Sequence, residues 1–314
     1  MKIIDRILQS GYFSQQPPVL IDIGASGEIN AKWKAIAPYC ICLAYDADDR
    51  EFHVTEQVNK TYKKLLTFNR IVTAAPVGQA GFYLTASPFC SSLLQPDKEK
   101  LAPWIFSPLF AVERVTNLPA ITLEESLQKV NIGYIDWFKT DTQGTDLRLF
   151  TSLPAHLQSG ILAAEFEPGI IDAYNGEDKL YSVMQEMHTR MFWLSSMDIK
   201  GVQRLNARYA RQFGSFLGKR AIRKTPGWAE VTYLRQPEGS SERQLLLLYI
   251  FALIEQQYGF ALEITDHALT QYHEEQLFAE CRKEVLKKIG AEKIKTPLVI
   301  LKRQLHKLFS SIND

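Results

Sequence analysis

Residues Val19–Glu28 read V-L-I-D-I-G-A-S-G-E. An apolar run ends at Asp22 and Ile23, passes through the small residues Gly24, Ala25, Ser26 and Gly27, and meets Glu28. A short apolar run bounded by turn residues predicts a buried parallel strand, followed here by a tight turn into a helix. Glycines at 24 and 27 let a ligand approach the main chain, because no Cβ stands in the way. A pyrophosphate prefers the spacing G-x-G-x-x-G, with its charge on a helix N-terminus. Here the spacing is G-x-x-G and the strand tip is acidic, a pattern that suits a ligand with a cationic end.

Outward from this block, strands and helices alternate. Glu28–Ala37 reads as a helix closed by Pro38, Ile41–Tyr45 as a strand running into Asp46, and 50–66 as a further helix. Ile71–Val77 reads as a third strand, and G-Q-A-G before F-Y-L-T-A as an antiparallel hairpin. Ser87–Asn117 lacks periodicity and is expected to be a long ordered loop over the site. Helices are expected at Ile121–Val130, capped near Thr122, and at Asp146–Leu153; strands at Tyr134–Thr140, Ile161–Phe166 and 229–235. The alternation indicates an α/β fold with a mostly parallel, Rossmann-like sheet and helices on both faces over residues 1–236. Residues 237–314 read as a C-terminal helical extension, interrupted near Gly290 and Pro297.

With 314 residues, 46% of them hydrophobic and 23% charged, the chain has the composition of a globular protein with a full core. Its N-terminus is too polar for a secretory segment, and the apolar run Leu245–Ile254 is shorter than the roughly 20 residues a membrane span needs. A cytoplasmic location is the expectation. Cys40, Cys42, Cys90 and Cys281 have no metal-ligand spacing, so no metal site is expected. The net charge of +1 conceals an asymmetry, −6 over residues 1–198 and +7 over 199–314. Lys200–Lys224 is its focus, with Arg204, Arg208 and Arg211 on one side if that segment is helical. Such a surface suits phosphate groups on a substrate, an anionic membrane leaflet or nucleic acid, or is simply a solvated helix face.

Ligands of open parallel sheets bind beyond the carboxyl ends of the strands. Asp22, Asp46, Asp141, Glu165 and Glu167 fall at such ends. Asp46, on the strand after the glycine turn, is placed to hold ribose hydroxyls, with Ala47 beside it. Ala75 is a candidate to lie along an adenine ring. Asp141, Glu165 and Glu167 are the candidate bases, ahead of His53.

V-L-I-D-I-G-A-S-G-E, A-Y-D-A-D (44–48) and Y-I-D-W-F-K-T-D-T-Q-G-T-D-L-R-L-F (134–150) resemble the FkbM-type S-adenosylmethionine-dependent methyltransferases. C-S-S-L (90–93) and I-T-L-E-E (121–125) resemble two further segments of that family, in the same order. The likeness covers residues 19–168, and Gln143 and Asp146 both stand where the family usually has Glu. It implies a class I methyltransferase fold, S-adenosylmethionine as cofactor held by Asp22, Gly24–Gly27, Asp46 and Ala47, and O-methylation of a sugar, glycan or small natural product. Three other readings compete. A nicotinamide-dependent oxidoreductase would need glycine where Ser26 stands. A non-catalytic protein of the same fold would bind membrane or a partner through 200–224. A nucleic-acid methyltransferase would need an N-P-P-Y-like block, which is missing.

Overall fold

The computed structural model describes residues 3–25, 30–46, 61–209, 212 and 221–311, with the backbone alone for 295–311. The chain divides into two compact units, Gly11–Gln236 and Met1–Ser10 with Pro237–Asp314. The first ten residues therefore group with the C-terminal helices rather than with the sheet.

The larger unit is α/β. Its strands are β1 (Val19–Ile23), β2 (Ile41–Tyr45), β3 (Lys64–Phe68), β4 (Ile71–Val72), β5 (Gln79–Thr85), β6 (Val112–Ile121), β7 (Trp137–Thr140), β8 (Ala163–Phe166), β9 (Phe192–Gln203) and β10 (Lys224–Arg235). Seven of them form a sheet in the order β3-β2-β1-β7-β8-β10-β9. β3, β2, β1, β7 and β8 are mutually parallel, and β10 runs antiparallel to both β8 and β9. This mostly parallel sheet is compatible with a Rossmann-like fold. β1 is buried along its whole length, Asp22 included, as the apolar residues around that acid require at the centre of a covered sheet. Val19, Ile21 and Ile23 join Leu43, Phe138, Phe150 and Phe166 in one core cluster.

Four elements differ from the sequence expectation. Ala31–Ala35 and Ala37–Tyr39 are two 3₁₀ turns where an α-helix was expected, with Asn30 capping the first through Lys32 N–H. The third parallel strand is Lys64–Phe68, read from sequence as the end of a helix. A short apolar run of this kind fits either element until its partner strand is known. Ile71–Val72 joins instead the smaller sheet β4-β6-β5. Ser87–Asn117 is no continuous loop: it carries helical turns and the first part of β6, which pairs antiparallel with β5 from Val112↔Thr85 to Pro119↔Gln79. The helix Leu123–Lys129 starts as its sequence indicates, with Thr122 and Glu125 forming a reciprocal capping box.

In the smaller unit, Glu242–Ile254 is capped by Ser241 and Gln244 and is buried on all sides, matching its apolar L-L-L-L-Y-I-F-A-L run. Helices Tyr258–Gln271 and Gln276–Ser311 follow, and the last runs unbroken past Gly290 and Pro297, where an interruption was expected. No helix among the described residues is long and apolar enough to cross a membrane.

Candidate functional site

A cleft of about 480 Å³ opens at the carboxyl ends of β1, β2, β7 and β8. The chain leaves β1 toward β2 on one side and returns to β7 on the other, so the cleft sits at the switch in strand order. Ile23, Gly24, Asp46, Asp141, Gln143 and Glu167 line its sheet side. Phe82, Phe89, Phe106, Leu109, Phe110 and Trp228 add apolar lining.

The turn after β1 is built by packing. Gly24 has φ of +80°, and a Cβ there would lie 2.0 Å from the carbonyl oxygen of Asp141. Glycine is thus required by the contact between the tips of β1 and β7, and it also lines the cleft. The Gly24 and Ala25 N–H groups both donate to the Tyr45 carbonyl, at 2.9 and 3.0 Å, so they tie β1 to β2. Ala25 is buried and does not line the cleft. Ser26, Gly27, Ala47 and His53 lie outside the described residues.

Asp22 and Glu165 serve another face of the sheet. Asp22 is 1% exposed and accepts a 2.5 Å hydrogen bond from Lys139 Nζ, its register partner on β7. Burial opposes the charge on Lys139, yet the Asp22 carboxylate, helped by Asp141 and Glu165, raises its pKa above the usual lysine value. Glu165 accepts from Trp137 Nε1 at 2.7 Å and from Lys32 Nζ at 3.0 Å. Neither carboxylate is among the residues that line the cleft. Ala75 is exposed, and Arg70, Ile71 and Val72 line the cleft on that side instead.

Asp46, Asp141 and Glu167 do converge on the cleft. Asp46 extends β2, its N–H donating to the Phe68 carbonyl at the tip of β3. Asp141 extends β7, anchored by its N–H to the Ile23 carbonyl at 2.9 Å. Its Oδ1 accepts from Gln143 Nε2 at 2.7 Å, so Gln143 holds the acid beside it. Glu167 hydrogen-bonds Asp141 side chain to side chain. Burial first, and the Asp141 charge second, hold Glu167 well above the usual carboxylate range, so it carries a proton at neutral pH. Asp146 is a fully buried knot under this floor. It accepts from the Thr140 hydroxyl (2.8 Å), the Thr142 N–H (2.9 Å) and hydroxyl (2.6 Å), and the Glu167 N–H (3.2 Å). Burial and the Asp141 charge outweigh these bonds and push it up to about 6.

The sequence reading missed three contributors. Glu177 lines the cleft with its side chain 3% exposed, accepting from Lys179 Nζ at 2.7 Å and Ala173 N–H at 2.6 Å. Gly144 and Gly169 both abut it, and a Cβ at either would come within 3 Å of a Glu177 side-chain atom. Tyr174 donates to the Cys90 carbonyl at 2.8 Å and reaches Gln143 Oε1 at 3.3 Å. Ser92, quoted above only for its segment, donates to the Gln143 carbonyl at 2.8 Å and docks 90–93 onto the turn after β7. The strained φ of +57° at Gln143 followed by Gly144 is the local signal that this turn is special.

The basic segment 200–224 is described only in part. Lys200 lies in β9 and pairs with Asp198 and Glu230, Arg204 packs over the Trp104 ring, and Ala207–Tyr209 is one 3₁₀ turn; Arg211 lies outside the described residues. All four cysteines are buried free thiols. Among the described residues no group of three His, Cys, Asp or Glu is disposed to hold a metal ion. Comparison with protein-family models, with curated proteins and with solved structures gives no match.

Proposed function

We propose that the chain is an S-adenosylmethionine-dependent methyltransferase of the class I, FkbM-like type, transferring a methyl group to a hydroxyl of a sugar, glycan or small natural product. One observation carries the reading: the carboxylates of Asp46, Asp141 and Glu167 all line the cleft at the carboxyl ends of β1, β2, β7 and β8. Acidic strand tips fit a cofactor bearing an ammonium and a sulfonium charge. Counting only the strands of the large sheet, the order is 3-2-1-4-5-7-6 with the seventh antiparallel. That departs from the dinucleotide order 3-2-1-4-5-6 and favours the methyltransferase reading over the oxidoreductase one.

In this reading Asp46 holds the ribose hydroxyls, and the tips of β1 and β7 at Ile23–Gly24 and Asp141 take the methionine end. The cofactor supplies an electrophilic methyl group. The chain's own residues align the acceptor and take its proton. Asp141 is the base, standing at the tip of β7 where it lines the cleft. Gln143 fixes one Asp141 oxygen, and Glu167 keeps a second negative charge out of the floor. The membrane- or partner-binding alternative loses support where Lys200 is matched by Asp198 and Glu230.

Calorimetric titration tests the proposal. S-adenosylmethionine should bind one to one, and Asp46→Ala should weaken it at least about tenfold, the loss of a charged hydrogen-bonding partner. No binding, with NADH bound instead, would overturn the reading.

A further inference from the structure

One part of the cleft lining is a cluster of rings. Phe106 meets Phe110 edge to face at 5.0 Å between centroids and lies nearly parallel to Trp228 at 6.2 Å and 7°. Phe110 packs against Tyr174 at 5.6 Å. All four rings line the cleft. The wall is tied to the acid floor twice. Tyr174 donates to Gln143, whose amide holds Asp141. Trp228 bridges to Gly169, two residues beyond Glu167, while the Ile170 N–H donates to the Gly227 carbonyl.

Polar groups along this wall are engaged within the protein. The Tyr174 hydroxyl serves Cys90 and Gln143, and Ser91 Oγ accepts from the Thr85 N–H. A sugar ring seated here would bury several hydroxyls with few partners, each at a desolvation cost. A flat apolar ring loses nothing in the same place and gains face and edge contacts with four aromatic neighbours. Phe89 and Leu109, 62% and 47% exposed, extend the apolar surface to the mouth.

Resting on the methyltransferase reading, we propose that this wall is the acceptor subsite and that the acceptor is a phenol, a planar aromatic ring bearing the hydroxyl that is methylated. The ring lies against Phe106, Phe110 and Trp228, and its hydroxyl faces Asp141. The phenol oxygen bonds to the methyl carbon as the carbon–sulfur bond breaks. Its proton passes to Asp141, and the positive sulfur departs as a neutral thioether. A phenol ionises near pH ~10, which asks less of a carboxylate base than an aliphatic alcohol does.

The test uses the full chain and 2-naphthol as probe, with n-octanol and methyl glucoside as comparisons, read by calorimetry and naphthol fluorescence. Saturable 2-naphthol binding is expected, weakened about tenfold by Phe106→Ala and severalfold by Phe89→Ala, whose exposed ring can be removed without disturbing the fold. S-adenosylmethionine affinity of both variants should stay at the wild-type value. Tighter binding of octanol or of methyl glucoside than of naphthol would overturn the aromatic class. Naphthol binding indifferent to both variants, or none, would overturn the subsite while leaving cofactor binding intact. Failure of S-adenosylmethionine to bind would instead remove the reading on which the proposal rests, and is scored separately.

Discussion

Glu167 hydrogen-bonds Asp141 at the floor of the cleft, where burial first and the neighbouring Asp141 second raise the Glu167 pKa well above the usual carboxylate range. Neither residue alone would specify that state. Burial makes a charge on Glu167 costly, and Gln143 Nε2 holds Asp141 Oδ1 in place beside it at 2.7 Å.

This pairing separates the two acids by mutation. Asp141→Asn should lower kcat by about 10²–10⁴-fold, the usual worth of a general base. Glu167→Gln keeps a neutral donor next to Asp141 and should retain most activity, while Glu167→Ala should lose more. Label transfer from the methyl donor into a mixture of small hydroxylated compounds checks this. Equal losses in Asp141→Asn and Glu167→Gln would contradict the assignment.

The same pair makes stability depend on pH. A carboxyl whose folded pKa is raised binds its proton more tightly in the folded than in the unfolded chain, where Glu titrates near pH ~4.3. Its contribution is fully present below that value and is lost as pH rises through the raised folded pKa. Urea unfolding should therefore show the wild type losing stability from mildly acidic to mildly alkaline pH, with Glu167→Gln visibly flatter. Parallel curves would refute the raised pKa.

Gly24→Ala should fail by destabilisation and not by selective loss of ligand. The new Cβ would meet the Asp141 carbonyl at 2.0 Å, at a φ of +80° that alanine resists. A loss of at least about 2 kcal/mol in urea unfolding is expected. A variant of normal stability that binds no cofactor would restore the ligand-cradle role for Gly24.

Lys139→Met strands Asp22, 1% exposed, without its partner. The expected loss is about 3–5 kcal/mol, much of it recovered when Asp22→Asn is added. Asp22→Asn alone should leave S-adenosylmethionine affinity within a few-fold of wild type. A selective loss of affinity would return Asp22 to the site.

The strands around the site were legible because each is a short apolar run ending in an acid: β1, β2, β7 and β8 all lie within or close to their expected spans. Which acids face the cleft was not legible. Asp22 is claimed by Lys139 through a strand register spanning 117 positions, which no local pattern encodes. Glu165 and Glu167, two apart, were expected on one face, as in a continuing strand. β8 ends at Phe166 and Pro168 follows, so the chain turns and Glu167 leaves the face that Glu165 keeps. Tyr174 and Glu177 escaped for a similar reason, since their partners Cys90 and Gly144 lie on other loops.

The central claim is that the cleft between Asp46 and Asp141 holds S-adenosylmethionine. A crystal structure grown with S-adenosylhomocysteine measures this directly. The account predicts ligand density at the tips of β1, β2 and β7, with ribose hydroxyls on Asp46 and the amino-acid end beside Gly24 and Asp141. Density elsewhere, or a cleft filled by its own side chains at saturating ligand, would contradict it.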